Sequence, residues 1–241
     1  MKTFVISLER ASERRAAISA SLQQYGVDFE LFPAVWGGDI DRSAPEIFDG
    51  DSFVIHNNCL SKTTIKGKLT DGELGCALSH LRLYQKIVQD NLPGAIVLED
   101  DFEAYNDFTA VFEAILAQVP EAELINGRTW SHMGLRQGWF NLRHRVTVAG
   151  KEYTFVRAGI PGLDWFLNRR RRMESTRCYY ISQQGCKRLL SLGYPVRMES
   201  DRLAGMIAYT KLKAYIVKPF LSVTDSKFAS MIGGGRSQKA V

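Results

Sequence analysis

The chain has 241 residues, of which 45% are apolar and 24% charged, and its formal net charge is +5. This length suits one large domain, or one domain with an appended subdomain. The apolar content is enough for a packed core, which excludes an intrinsically disordered protein. The modest positive charge favours an anionic partner such as nucleotide phosphates, anionic lipid or nucleic acid, without choosing among them.

The four cysteines show no CxxC spacing, so their pattern indicates neither a zinc site nor a disulfide framework. Cys76 and Cys186 lie in helix-like patterns, where we expect them to be buried as small apolar groups. The first ten residues hold too short an apolar run for a signal peptide, and no stretch approaches the ~18 apolar residues of a membrane span. We therefore expect a cytoplasmic protein, at most peripheral on the inner face of the cytoplasmic membrane.

The beginning of the chain alternates strand and helix patterns. Short apolar runs predict strands at residues 3–8 and 29–35, and a 3.6-residue periodicity predicts a helix at 11–25 between them. Gly26 is expected to end this helix, and Pro33 places the second strand at a sheet edge. Four residues are expected to share the buried face of the helix: Ala17, Ile18, Leu22 and Tyr25. This β-α-β order resembles one nucleotide-binding half of a doubly wound sheet.

A long loop and a well-marked helix follow. Residues 36–69 are rich in glycine and proline and too long for a bare connection, so we interpret them as a functional loop or excursion. Thr70 and Glu73 have the spacing of a capping box, in which each side chain bonds the backbone N–H of the other residue. Behind this box, residues 74–90 carry a wide apolar stripe, which predicts the clearest helix of the chain.

The second half is less regular. Patterns predict strands at 123–126, 178–182 and 214–221, and helices at 108–119, 183–192 and 199–209. Residues 127–175 combine three tryptophans, several glycines and a run of arginines, and we interpret them as an acceptor-binding insertion rather than core sheet. Residues 222–241 are expected to be a flexible tail. The alternation of elements predicts an α/β fold, a Rossmann-type mixed sheet flanked by helices, in one domain over residues 1–221.

The strongest chemical signal lies at the end of the strand predicted after Pro93-Gly94. Four apolar residues, Ala95 to Leu98, are followed without a break by Glu99, Asp100 and Asp101. Ligands of open α/β sheets bind at the carboxyl edge of the strands. Because adjacent carboxylates repel one another unless a cation lies among them, and because hard oxygen ligands suit Mg²⁺ or Mn²⁺ held with a diphosphate, we interpret the triplet as a metal site. The alternative is a solvated loop whose acids precede a helix.

Three blocks of sequence carry a resemblance to a known family. They are Val5-Ile6-Ser7-Leu8 with Arg10 and Arg14, then Leu69 to His80 running on into Val97 to Asp101, and then Cys178 to Lys187 with Leu189-Leu190. In this order and spacing they resemble glycosyltransferase family 25, the lipopolysaccharide and lipooligosaccharide galactosyltransferases, over most of residues 1–220. The resemblance implies a GT-A fold. It also implies inverting transfer of a sugar, typically galactose from UDP-galactose, to a growing lipopolysaccharide core.

The resemblance further implies that the acidic triplet is the family's form of the DxD motif. Asp101 is then the main ligand of Mn²⁺ or Mg²⁺, and Asp100 or Glu99 holds the ribose or the water shell of the metal.

Further donor contacts are expected at the same sheet edge and on the predicted helix 74–90. Ser7, Leu8 and Arg10 end the first strand on the edge that carries Asp101, where the uridine lies in such folds. Arg10 and Arg14 either meet phosphates or form a solvated helix face, and Arg10 is preferred because it is nearer the strand end. The candidates on the predicted helix 74–90 are Ser79 and His80, although a buried, hydrogen-bonded histidine is an equally ordinary interpretation.

An inverting transfer also needs a base that takes the proton of the acceptor hydroxyl. Asp201 is the first candidate and Glu199 the second. Both lie at the start of a predicted helix, where acids also occur simply as caps. The chain departs here from the family pattern, since Pro195-Val196 is followed by Arg197 rather than by an acid.

The run Arg169–Arg172, flanked by Trp165 and Phe166, is either a docking site for phosphorylated glycan or anionic lipid, or a solvated loop. Two other functions remain open. One is a metal-dependent phosphodiester enzyme, such as a nuclease, although no nucleic-acid-binding motif is found and no nucleic acid is expected as a partner. The other is a non-catalytic protein that binds sugar or a membrane surface.

Overall fold

The computed structural model describes residues 1–56, 62–65, 67–103, 107–127, 144–158 and 175–221. The arginine run with its aromatic neighbours, and the tail from residue 222 onward, lie outside these residues, so the expectations about them stay predictions. Among the described helices, none has both the length and the apolar content needed to cross a membrane.

Ten strands and six α-helices lie in the described part of the chain. The strands are β1 Lys2–Ser7, β2 Glu30–Pro33, β3 Phe53–His56, β4 Lys62–Ile65, β5 Gly94–Glu99, β6 Leu124–Asn126, β7 His144–Val148, β8 Lys151–Ala158, β9 Cys178–Ser182 and β10 Ala214–Lys218. The helices are α1 Ser12–Gln24, α2 Asp71–Gln89, α3 Phe108–Gln118, α4 Gln183–Gly193, α5 Ser200–Gly205 and α6 Ile207–Thr210. A short 3₁₀ turn covers Gly37–Asp39.

An eight-stranded mixed sheet forms the centre, in the order β2-β1-β5-β9-β6-β10-β8-β7, which confirms the predicted α/β class. Six strands run in one direction, and β8 and β9 run against them. The parallel neighbours β1 and β5 end at the same edge, where Ile6 is level with Glu99. Because β9 runs the other way beside β5, with Cys178 level with Leu98, the residues that precede β9 lie at that edge too.

The sheet is covered on both faces. Phe4 and Val5 are both fully buried and belong to different hydrophobic clusters, as expected for successive residues of a central strand. The cluster of Phe4 includes the apolar stripe of α2 and residues of α4, whereas the cluster of Val5 includes α1 and α3. The two layers of helices therefore hold the edge formed by β1, β5 and the start of β9 in place.

Most local predictions in the first half are confirmed. The capping box is present, with Thr70 Oγ1 accepting from the Glu73 N–H at 3.3 Å and the Glu73 carboxylate accepting from the Thr70 N–H at 2.8 Å. Gly26 follows α1 with a φ of +65°, and β2 lies at the sheet edge. The buried face of α1 was predicted too wide, since Ile18 and Leu22 are buried but Ala17 and Tyr25 are exposed.

The expectation that residues 127–175 lie outside the core sheet is wrong for the described residues 144–158, which form the hairpin β7–β8 and extend that sheet beyond β10. The acceptor-binding role of the stretch stays a prediction. Its turn, Ala149-Gly150, has positive φ at both residues, as a two-residue hairpin turn requires. Tyr153 and Phe155 alternate toward the core, which is the strand signal in this stretch.

The helix predicted at 199–209 is divided into α5 and α6 at Met206. Five successive residues, 203–207, are all buried. A straight helix would distribute five successive side chains around its whole circumference, so the break allows more of them to reach the core.

Candidate active site

An open cleft lies at the edge where β1 and β5 end, and its roughly 700 Å³ of empty space includes open solvent. The cleft is lined by the ends of these two strands, the loop from Ala34 to Gly37 and one side of α2. All three carboxylates of the acidic triplet belong to its lining.

One wall of the cleft, here called the β1 wall, consists of Ser7, Leu8 and Arg14. Ser7 ends β1, and its hydroxyl donates to Asp100 Oδ2 at 2.8 Å. Arg14, one turn into α1, donates from Nη1 to Asp100 Oδ1 at 2.9 Å, and both side chains of this ion pair are nearly buried. Each oxygen of Asp100 therefore has a partner, and the carboxylate is fixed between the strand and the helix.

A second side of the cleft is made by backbone packed on α2. The Ser79 hydroxyl accepts from the Val35 N–H at 2.8 Å and donates to the Gly75 carbonyl at 2.6 Å. A Cβ at Gly75 would lie 2.7 Å from the Val35 carbonyl oxygen and 2.8 Å from the Gly37 nitrogen. Glycine at this position is thus required for the close approach, and Ser79 acts by holding the loop.

Trp36, which follows Val35, lines the cleft, and the Arg10 guanidinium lies 3.3 Å from the centre of its ring. Arg10 is exposed and is not among the described residues that line the cleft. The structure thus places Arg14, rather than Arg10, in the wall of the cleft, while Arg10 supports Trp36 from outside.

The acidic triplet is supported on its β9 side by three residues, here called the β9 wall: Thr176, Arg177 and Ser200. None of them is among the described residues that line the cleft itself. Thr176 Oγ1 donates to Glu99 Oε1 at 2.5 Å, and Arg177 Nη2 lies 3.0 Å from Asp101 Oδ2. Ser200, at the start of α5, lies with its hydroxyl 3.3 Å from that of Thr176. These contacts exist because β9 is antiparallel to β5, which brings the residues before β9 to the carboxyl end of β5.

Asp101 is the least satisfied member of the triplet. Its Oδ1 is buried and has no hydrogen-bond partner among the described residues. Burial and the neighbouring Glu99 carboxylate raise the pKa of Asp101 to about 6, against the opposing effect of Arg177 and Arg14. A cation at Oδ1 would relieve both the missing contact and the repulsion, so Asp101, with Asp100 beside it, fits a hard divalent cation.

The floor of the cleft is formed by Glu99, His80 and Cys76. Burial opposes ionisation of Glu99, but the adjacent His80, the Thr176 hydroxyl and Arg177 together hold its pKa below the usual value. His80 is 1% exposed, its Nδ1 lies 2.7 Å from the Tyr179 hydroxyl, and its Nε2 lies 3.5 Å from Glu99 Oε1. The histidine is therefore a buried, hydrogen-bonded residue, as the ordinary interpretation expects, and it also lines the cleft. Its contact with a donor stays a prediction.

The two candidate bases lie beside the floor, at the start of α5. Glu199 pairs with Arg202 at 3.5 Å, and its Oε2 is buried without a hydrogen-bond partner in the described part of the chain. Asp201 is partly exposed and near enough to Cys76 for its charge to raise the pKa of the thiol, although burial of the thiol is the larger cause. Neither acid is among the described residues that line the cleft.

Comparison with known proteins agrees with this arrangement. A family model described as glycosyltransferase family 25 (LPS biosynthesis protein) matches residues 1–204. The chain belongs to glycosyltransferase family 25.

Three relatives show how this family 25 chain compares. A glycosyltransferase 25 family member of Aedes aegypti is 29% identical over 199 residues, 78% of this chain and 27% of the relative. One of Anopheles gambiae is 30% identical over 188 residues, which are 78% of this chain and 28% of the relative. The inactive glycosyltransferase 25 family member 3 of Mus musculus is 30% identical over 149 residues, covering 62% and 24%. The chain spans about a quarter of the length of these curated relatives.

The cleft of this family 25 protein brings together most of the residues singled out from the sequence. They are Ser7, Leu8, Ser79, His80, Glu99, Asp100 and Asp101. The sequence analysis missed Thr176 and Arg177, which lie just outside a predicted strand and belong to no motif. It also assigned Cys76 to the core, whereas Cys76 is partly exposed and lines the cleft. The signal for Cys76 was its spacing, since Cys76 and His80 are four residues apart on one helix face.

Proposed function

We propose that this protein is a metal-dependent, inverting glycosyltransferase that moves a sugar from a UDP-sugar donor to a lipopolysaccharide-type core. Galactose is the first candidate for the sugar. The observation that carries the proposal is the buried Oδ1 of Asp101, which has no hydrogen-bond partner among the described residues and belongs to an acid that lines the cleft. Family membership supports the reaction class, while the donor, the acceptor and the metal are inferred from the chemistry of the cleft.

In this proposal Asp101 holds the divalent cation, Mn²⁺ or Mg²⁺, and Asp100 is the second candidate ligand. The bound cation would supply Lewis-acid neutralisation of the leaving diphosphate. Arg14 and Arg177, which already contact Asp100 and Asp101, orient the two carboxylates and add positive charge beside the diphosphate. The segment from Ala34 to Gly37 and the end of β1 enclose the nucleoside.

In this proposal Asp201 is the base that takes the proton of the acceptor hydroxyl, and Glu199 is the alternative base. Asp201 is preferred because its charge lies close enough to Cys76, on the floor of the cleft, to raise the pKa of that thiol. A base at the start of α5 would approach the sugar from the β9 wall, across the floor from the diphosphate. That placement suits an attack on the face opposite the leaving group.

A melting scan tests the donor and the metal. UDP and Mn²⁺ together are expected to raise the melting temperature, and each alone much less, since the diphosphate and the acids share the cation. Asp101→Asn is expected to lose this stabilisation. Its matched control is Asp28→Asn, because Asp28 is exposed and precedes β2, at the end of the strands opposite the cleft. A screen of UDP-sugars for transfer or hydrolysis then identifies the sugar. Equal melting curves with and without UDP and Mn²⁺ would remove the proposal.

A second candidate function is nucleotide-sugar binding without turnover. The observation that favours it is the similarity to a mouse protein named as inactive. This candidate predicts the same stabilisation by UDP and Mn²⁺, but no product from any UDP-sugar in the presence of lipopolysaccharide-core acceptors.

A further inference from the structure

The floor of the cleft carries a second group of potential metal ligands, of different chemistry from the acidic triplet. Cys76 Sγ, a His80 ring nitrogen and a Glu99 carboxylate oxygen all lie within 4.8 Å of one another. Cys76 and His80 are one turn apart on α2, and Glu99 ends β5. The geometry points to a site for a thiophilic divalent cation, Zn²⁺ in the first place, bound by Cys76, His80 and Glu99.

The unpartnered nitrogen of His80 is the independent observation behind this site. His80 is 1% exposed, and its Nε2 has no hydrogen-bond partner among the described residues although Glu99 Oε1 is 3.5 Å away. In a tetrahedral zinc site with Zn–S near 2.3 Å and Zn–N and Zn–O near 2.1 Å, ligand atoms are about 3.4–3.6 Å apart. The separation of Nε2 and Oε1 already has this value. Because all three ligand atoms lie within 4.8 Å of one another, the approach of Cys76 Sγ that the site requires is at most about 1.2 Å.

Each of the three ligands is already held by a second residue. The Tyr179 hydroxyl lies 2.7 Å from His80 Nδ1, Thr176 donates to Glu99 at 2.5 Å, and the Ser200 hydroxyl lies 3.3 Å from Cys76 Sγ. Outer contacts of this kind fix the orientation of the ligands and strengthen metal binding. The Tyr179 contact occupies Nδ1 and leaves Nε2 of His80 on the side of Glu99.

The donor set selects a cation different from the one assigned to Asp101. Thiolate, imidazole and carboxylate suit Zn²⁺, whereas Mg²⁺ and Mn²⁺ prefer oxygen ligands. One thiolate and one carboxylate neutralise the ion, which suits a site with little access to water. All three residues line the cleft, so the fourth position of the ion is open to a water molecule or a ligand in the cleft.

Binding breaks the S–H bond of Cys76 and forms an S–Zn bond, and the proton passes to the buffer without any change of oxidation state. Titration of the full chain with Zn²⁺ alone, without nucleotide, is therefore expected to show one tight site with proton release. Co²⁺ in place of Zn²⁺ is expected to give a thiolate-to-cobalt charge-transfer band.

Cys76→Ser is expected to lose the charge-transfer band and to weaken Zn²⁺ binding at least tenfold. Cys186→Ser is the matched control, because Cys186 is fully buried in α4 and is not among the described residues of the cleft. Tyr179→Phe keeps all three ligands and is expected to weaken Zn²⁺ binding about tenfold. Melting curves of the variants show that each is folded.

Equal Zn²⁺ affinity in Cys76→Ser and wild type, or the absence of the cobalt band, would overturn the site. Asp101→Asn separates this inference from the proposed function, since it is expected to keep the cobalt band while losing stabilisation by UDP and Mn²⁺. If Asp101→Asn removes the cobalt band as well, Cys76 binds the ion only together with the acidic triplet, and a separate site made by Cys76, His80 and Glu99 is wrong.

Discussion

The β1 wall and the β9 wall differ in how completely they satisfy the hydrogen-bonding capacity of the acids that they contact. In the β1 wall, Ser7 and Arg14 occupy both oxygens of Asp100. In the β9 wall, Arg177 contacts one oxygen of Asp101, and Thr176 contacts one oxygen of Glu99. Asp101 Oδ1 and His80 Nε2, in contrast, have no hydrogen-bond partner among the described residues. Neighbouring acids of one triplet therefore have different roles, in that Asp100 mainly fixes the structure and Asp101 is available to a ligand.

The largest effect is expected from Asp101→Asn, which removes the charge of the unsatisfied acid. Transfer should fall about 10³-fold, equivalent to about 4 kcal/mol, because the cation loses its main ligand. Initial rates with a UDP-sugar and Mn²⁺ measure it, with Asp28→Asn as the control. A transfer rate within tenfold of wild type would contradict the role of Asp101 as the main ligand of the cation.

The pH dependence of stability tests the same carboxylate without any ligand. The pKa of Asp101 is raised from 3.8 to about 6 by burial and Glu99, so folding favours its protonated form. This contribution is fully present below pH 3.8 and is lost as the pH rises through 6, up to about 3 kcal/mol. The asparagine of Asp101→Asn stays neutral. The free energy of unfolding of the variant, measured with urea, should therefore rise relative to that of wild type between pH 4 and pH 7. Parallel pH profiles would contradict the assignment.

Asp201→Asn tests whether the β9 wall also carries the base. Turnover is expected to fall about 10²-fold, the lower end for a general base, while UDP binding stays nearly unchanged. Single-turnover rates and UDP titration separate the two quantities. Glu199→Gln is the matched comparison, and near-normal turnover in Asp201→Asn with a large loss in Glu199→Gln would reverse the assignment.

Asp100→Asn should act mainly on stability, because it breaks the nearly buried pair with Arg14. We expect a loss of about 2 kcal/mol in the free energy of unfolding, measured with urea. The fall in transfer rate should be smaller than for Asp101→Asn. Should the two variants lose transfer equally, Asp100 would be a cation ligand of the same rank as Asp101.

The sequence predicted those features whose cause is local. The acidic triplet after an apolar run, and the Thr70–Glu73 spacing, both specify their structure within a few residues. Parallel order then brought Ser7 to the acids, as a β-α-β pattern implies. Thr176 and Arg177 were not predictable in this way, because the apolar pattern of β9 does not encode its direction. Only the pairing with β5 decides that the residues before β9, rather than those after it, reach the acidic triplet.

The contact of Val35 and Gly37 with Gly75 has a consequence for how this cleft can diverge. On that side the cleft is bounded by main-chain atoms packed on main-chain atoms. Substitution of side chains there can therefore change its shape very little. A new shape on that side would need a shift of the main chain itself, whereas the side chains of Ser7, Leu8 and Arg14 can be exchanged without one. Divergence of the cleft should accordingly map to these side chains, while the glycine-bounded side stays constant.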